Sequence, residues 1–293
     1  MKYGLVDMGS NTVVLVIYEV NNLDEMPNVL VHNSTPVRLV SYIKDGHMDK
    51  EGIKKAKEVL IEYFTILEEV GVDSFYAFMT EPARNIDNLD EMLKEFEEVG
   101  FKVEPLTGIQ EAEYDFAGSQ LAYHEIPSGN AFDIGGGSTE LITFENNMIK
   151  EAISIPYGCV RLSTLPIEKG FVDDILRNTL NEYPLLNSIK NDVLIGIGGT
   201  CRATYQVINA LHHTGKRFPV IYAEKLYNDL LNNNPEVQEV LKRELNKNRR
   251  QVLLPGLNML LGITRAFNAK EIHFSTGCVR EGFLYHKIKN SSK

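Results

Sequence analysis

The chain has 293 residues, of which 43% are hydrophobic and 24% charged, with a formal net charge of −10. Such a composition excludes a disordered or low-complexity protein, and the length suits two domains. The acidic balance opposes non-specific binding to nucleic acid, which rests on cationic neutralisation of phosphates, and no apolar run approaches the ~20 residues that span a bilayer. The opening MKYGLVDMGS lacks the apolar core of a signal peptide because Asp7 interrupts it, so a cytoplasmic protein without membrane partners is expected. Cys159, Cys201 and Cys278 are odd in number, far apart and in no CxxC arrangement, which predicts reduced thiols and no structural zinc.

In chain order, KYGLVDMGSNTVVLVIYEV predicts a strand ending at Asp7, a turn at Gly9 and Ser10, and a second strand rich in β-branched residues from Thr12 to Tyr18. Ile53, Ala56, Val59, Leu60, Tyr63, Phe64 and Leu67 recur at helical spacing, and Gly71 ends that helix. SFYAFMT predicts a strand, Asn88 to about Glu98 a helix, KVEPL a strand, and a further helix starts at about Gln110. The pattern then restarts: strand, glycine turn, strand, turn, strand and helix over residues 130–162. NDVLIGIGGTCRATYQVINAL predicts strand, glycine turn and helix; VLLPGLNMLLGITRAFNA a helix; EIHFST a strand; and VREGFLYHKI a closing helix. Alternation of this kind implies layered α/β domains. HEIPSGN marks a linker, placing one domain at 1–124 and the other at 125–280, with the helix 281–293 packing back on the first.

VDMGSNT and FDIGGGST share the form apolar–Asp–apolar–Gly–(x)–Ser, each between two predicted strands. A hairpin turn accounts for one or two glycines. Three in a row, flanked by Asp133 and Glu140, fit backbone N–H groups that must approach phosphate oxygens with carboxylates nearby for a metal ion. A third turn, GIGGT, opens a helix, whose first N–H groups suit an anion. None of the three reads GxxxxGK[ST] or as a GxGxxG after the first strand.

The order and spacing of these turns resemble the two-domain superfamily of acetate and sugar kinases, Hsp70 and actin. Within it, VDMGSNT, MTEPARN, TGIQEAE, FDIGGGSTEL, PYGCVRL, GIGGT and GCVREG resemble the exopolyphosphatase and guanosine pentaphosphate phosphohydrolase (Ppx/GppA) family, in its short two-domain form. The resemblance implies an α/β fold of two ribonuclease H-like domains facing a central cleft, and is compatible with a homodimer. It implies a first phosphate loop at Asp7, Gly9, Ser10 and Asn11 and a second at Gly135, Gly136, Gly137 and Ser138. Gly198, Gly199 and Thr200 would add phosphate contacts, and Asp133 and Glu140 would hold Mg²⁺ (or Mn²⁺), with Glu140 also beside the attacking water. Arg84 matches a phosphate-contacting arginine, and Glu111 the catalytic glutamate. A base that aligns water, together with cations on the phosphoryl oxygens, is what hydrolysis of a phosphoanhydride requires.

The implied activity is release of the terminal phosphate from inorganic polyphosphate or guanosine pentaphosphate. A solvated helix carboxylate at Glu111 and a surface arginine at Arg84 are the plainer readings of those two residues. Cys159 fits small buried packing better than a nucleophile, and the histidines have no metal-ligand spacing. Five positions depart from the family pattern: Pro82 for a leucine or small residue, Gln110 for a glutamate, Glu113 for an arginine beside the proposed base, Gln251 for an aspartate and Thr276 for an aspartate. Glu113 and Gln251 keep a non-hydrolytic nucleotide or alarmone regulator in view, while the substrate-binding insert expected of a small-molecule kinase is not seen in the sequence. Lys242, Arg243, Lys247, Arg249 and Arg250, interleaved with Glu244, read as a solvated helix face rather than a substrate track, so short chains are the expected substrates.

Overall fold

A computed structural model describes residues 1–81, 84, 86–165, 168 and 170–291. Pro82, Ala83 and Asn85 of MTEPARN, and with them the expected departure at Pro82, lie outside the described residues. The chain divides into two compact units, Met1–Glu111 with Arg280–Lys293, and Ala112–Val279. The first holds β1 (Lys2–Met8), β2 (Thr12–Glu19), β3 (Asn28–Pro36), the two-residue strands β4 (Ile43–Lys44) and β5 (His47–Met48), α1 (Lys50–Val70), β6 (Ser74–Met79), α2 (Leu89–Glu97) and β7 (Val103–Pro105). Helix α3 (Gly108–Tyr123) begins in the first unit and continues in the second. The second unit holds β8 (Gly129–Ile134), β9 (Thr139–Glu145), β10 (Met148–Ile155), α4 (Cys159–Thr164), α5 (Phe171–Glu182), β11 (Val193–Ile197), α6 (Gly198–His212), β12 (Arg217–Pro219), α7 (Val220–Leu231), α8 (Pro235–Glu244), α9 (Lys247–Phe267) and β13 (Glu271–Phe274). The last helix, α10 (Val279–Ser291), starts in the second unit and joins the first from Arg280 onward.

The two sheets repeat one plan. The first has the order β3-β2-β1-β6-β7 and the second β10-β9-β8-β11-β13-β12. In each, a hairpin and a third antiparallel strand are followed by two parallel strands, so β8–β9 stands where β1–β2 stood. The likeness of VDMGSNT to FDIGGGST is thus a likeness of position.

Local chemistry sets the elements. Asp49 caps α1, its carboxylate accepting from the Glu51 N–H at 3.0 Å, and Gly71 ends the helix at φ 67°, a left-handed conformation that glycine adopts without strain. Between them Ile53, Ala56, Leu60, Tyr63 and Leu67 are buried with Val6, Met8, Leu15 and Ile17, the residues on one face of the sheet. The opposite face carries Asp7 and Phe78. There α10 lays Phe283 on Phe78 with ring centroids 4.8 Å apart, and Lys287 reaches Glu104 at 2.6 Å.

Helix α9 differs from expectation. The sequence suggests a start at Val252, with Pro255 in the first turn, but Asn246 accepts from the Arg249 N–H at 2.9 Å and starts the helix at Lys247. Pro255 then lies inside, where ten buried residues hold the helix against the cost of the missing N–H. Arg249 therefore sits in a helical first turn.

Within the second unit, Gly118 of α3 lies against the chain at Cys278, where an added Cβ would fall 2.1 Å from the Cys278 carbonyl oxygen. Backbone cannot move aside as a side chain can, so Gly118→Ala is expected to destabilise the protein by about 1–3 kcal/mol or more. Equilibrium urea unfolding of the two proteins checks this through the midpoint.

Candidate active site

In the first unit, β1, β6 and β7 are parallel neighbours whose carboxyl ends lie together, tied by Thr80 N–H to Met8 O at 3.2 Å and Leu106 N–H to Met79 O at 2.8 Å. Ligands of open α/β sheets bind at such ends. Asp7, Gly9, Ser10 and Asn11 form the β1–β2 turn, closed by Gly9 N–H to Thr12 O at 3.0 Å. Ser10 Oγ donates to the buried carboxylate of Glu81 at 2.9 Å. The Arg84 guanidinium donates to Glu111 Oε2 at 2.8 Å, and both side chains are largely buried. Glu111 is no solvated helix carboxylate and Arg84 no loose surface arginine. Glu113 is exposed, on another face of α3, since positions two apart do not face each other on a helix.

Asp7 lies 3.7 Å from the Arg280 guanidinium, with its side chain 17% exposed. Burial pushes its carboxyl up to about 6; Arg280 pulls it down and Glu281 pushes it up.

In the second unit the β8–β9 turn is built around missing side chains. Gly135 N–H donates to Ser138 O at 3.0 Å, and the first turn of α4 is fastened to the loop through Cys159 N–H to Gly135 O and Val160 N–H to Gly136 O, both at 2.9 Å. Gly158 allows that approach, because a Cβ there would lie 2.4 Å from the Gly136 carbonyl. Asp133 and Glu140 stand directly opposite on β8 and β9 and so share one face. Ser154 Oγ donates to Glu140 Oε1 at 2.7 Å. The Asp133 carboxylate lies against Gly198, at φ 73°, where a Cβ would come within 2.0 Å of it. Thr200 donates to Ile134 O at 2.7 Å, locking the start of α6 to β8. Arg249 lies against Gly199 at the same helix start. Burial pushes the Cys159 thiol up, which fits packing and not a nucleophile.

Among the described residues no group of three or more His, Cys, Asp and Glu side chains is placed to hold a metal ion. The Asp133–Glu140 pair nevertheless fits Mg²⁺, which is commonly held by one or two carboxylates with waters and phosphate oxygens. Two directly opposed, buried carboxylates are unfavourable without positive charge to offset them.

A profile of the Ppx/GppA phosphatase family matches residues 16–291. The chain belongs to this family. A provisionally named exopolyphosphatase of Haemophilus influenzae is 25% identical over 300 residues, covering 97% of this chain and 91% of that protein. A guanosine-5'-triphosphate,3'-diphosphate pyrophosphatase of Pseudoalteromonas atlantica is 24% identical over 308 residues, covering 98% of this chain but only 59% of its own length. The crystal structure of an exopolyphosphatase from Cytophaga hutchinsonii shares the fold, with a TM-score of 0.82, 24% identity and coverage of 99% of this chain and 98% of that one. No helix among the described residues is long and apolar enough to cross a membrane.

Four residues around these turns were given no site role from the sequence: Glu81, Arg280 and Glu281, which lie in motifs quoted for the family, and Arg249, which was read as part of a solvated helix face. A signal existed for Arg280 and Glu281, because TGCVRE after β13 echoes TGIQE after β7.

Asp7 carries a consequence for stability. Its carboxyl is raised from 3.8 to about 6 in the fold, so between those values the native state holds a proton that the unfolded chain releases. Stability linked to Asp7 is therefore lost as pH rises from about 4 to 6, and above 6 the residue is a standing cost. Asp7→Asn is expected to stabilise the protein at pH 8 by on the order of 1–3 kcal/mol and to confer no gain below pH 4. Denaturant unfolding at both pH values checks this; an equal shift at both would contradict it.

Proposed function

We propose that the protein is a metal-dependent phosphohydrolase that releases the terminal phosphate of short inorganic polyphosphates or of a guanosine pentaphosphate, with Glu111 as general base. The observation that carries this reading is the Arg84–Glu111 pair at 2.8 Å. A buried carboxylate in the first turn of α3 is held in one orientation by a guanidinium, the group best shaped for bidentate phosphate contact. When a phosphoryl group takes up Arg84, the Glu111 oxygen it released is in place to orient and deprotonate water. Mg²⁺ or Mn²⁺ held by Asp133 and Glu140 would supply positive charge to phosphate oxygens. By the resemblance, the turns at Gly9–Asn11, Gly135–Ser138 and Gly198–Thr200 would contact phosphates, through N–H groups other than those of Gly9 and Gly135, which close their own turns.

The exposed position of Glu113 takes away one reason to prefer a non-hydrolytic regulator. The preference for short substrates is supported by the basic residues of α8 and α9. Lys242 is paired with Glu239 at 2.7 Å, Arg243 with Glu244 at 2.8 Å, and Arg249 is turned toward Gly199. Three of the five basic residues are thereby engaged locally.

Phosphate release from tripolyphosphate and guanosine pentaphosphate, with and without Mg²⁺, tests the reading. Glu111→Gln is expected to lower turnover by about 10²-fold or more while tripolyphosphate still binds; a variant keeping more than about a tenth of the activity would remove Glu111 from the role. Gel analysis of a long-chain digest should show a ladder of intermediates, the mark of distributive release. Complete degradation of one molecule at a time would show a groove built for long chains.

A further inference from the structure

Helix α10 brings two charged residues of opposite sign to one place. Arg280 and Glu281 are its second and third residues, both largely buried: the first lies 3.7 Å from Asp7 on β1, and the second accepts from Tyr18 Oη on β2 at 2.5 Å. The start of the helix is itself fixed, since the fully buried Asp115 accepts from the Val279 N–H at 2.7 Å. Nothing in the reaction outlined above uses this pair.

We propose that Arg280 and Glu281 are positioning residues for the first glycine turn, a cation and an anion on one helical turn whose balance sets the charge state of Asp7. The inference rests on the phosphohydrolase reading insofar as the turn takes a phosphate chain. An ionised Asp7 puts a negative charge beside a polyanion, whereas the neutral carboxyl adds none and can donate a hydrogen bond. Among the described residues, each element packed near Asp7 contributes as follows. Its neighbour on β2 is Val14 and on β6 Phe78, both apolar, while β2 also contributes the Tyr18 phenol; past the strand ends lie Ser10 and Glu81, and α10 contributes Arg280 and Glu281. With burial holding the carboxyl near 6, removal of either α10 charge moves it within the range in which the protein can be studied.

The test is carbon NMR of carboxyl-labelled aspartate in the full chain, with the Asp7 signal assigned through Asp7→Asn. In Arg280→Met the Asp7 midpoint is expected to rise by about one pH unit or more, and in Glu281→Gln to fall. Arg280→Lys, which keeps the charge, should stay close to wild type and is the control for the charge-deleting variants; if Arg280→Met does not fold, Arg280→Gln takes its place, with the same rise expected. A purely structural role would give shifts of one sign, since both variants delete a buried partner. Midpoints that do not move, or that move together, overturn the inference. In a second arm, the pH dependence of tripolyphosphate binding by calorimetry should track the NMR midpoints across the variants; binding that ignores them also overturns it. Failure of the wild type to bind or cleave tripolyphosphate would remove the phosphohydrolase reading, while the NMR arm still decides the charge balance at Asp7.

Discussion

The second unit is organised by space that a single Cβ would fill. At Gly158 the first turn of α4 closes on the Gly136 carbonyl, and at Gly198 the start of α6 closes on the Asp133 carboxylate. Two helix beginnings and the β8–β9 turn are thereby brought to one point, with their N–H groups and a carboxylate at contact distance. Any side chain at either position would have to push backbone or a buried carboxylate aside. The gathering of the glycine turn and the two helix starts follows from these contacts, and Glu140 is buried beside them.

The first unit solves the same problem with charge instead of space. Its turn has one glycine, Gly9, and is surrounded by paired side chains: Ser10 with Glu81, Arg84 with Glu111, Asp7 with Arg280. The close, largely desolvated Arg84–Glu111 pair holds its geometry firmly, because breaking it leaves a buried charge uncompensated, whereas at Asp7 burial outweighs the looser contact with Arg280. One sheet plan, used twice, thus carries a Gly-rich turn in one copy and a turn ringed by paired side chains in the other.

Much of this was legible in the sequence because it depends on local rules. Asp before a Gly–Ser turn between β-branched runs fixes a hairpin, and GIGGT after VLI fixes a strand-to-helix turn. The start of α9 was set too late, at Val252, for an equally local reason, although Arg249 was read as lying on a helix face. Pro255 resembles a first-turn proline, which moves the apparent start of α9 past Arg249; the Asn246 cap and the apolar burial that override it are visible only in three dimensions. β3, α5, α7 and α8 were left out altogether. β3 is an edge strand whose alternation is weakened by exposed Val29 and Leu30. The buried pairings of Glu81 and Glu281 link residues 71 and 263 positions apart, a separation that no periodicity signals.

The exchange of helices at the two crossings has a consequence for how the chain acquires its structure. Strands β1 and β2, made first, are covered on one face by α10, made last, and Tyr18 waits for a partner 263 residues downstream. Long loops must close before such contacts reward the closure, so the N-terminal sheet is left with an apolar face bare for nearly the whole of synthesis. The first sheet is therefore completed by a segment more than two hundred residues along the chain from the strands it covers, which makes its closure a long-range and slow event in folding.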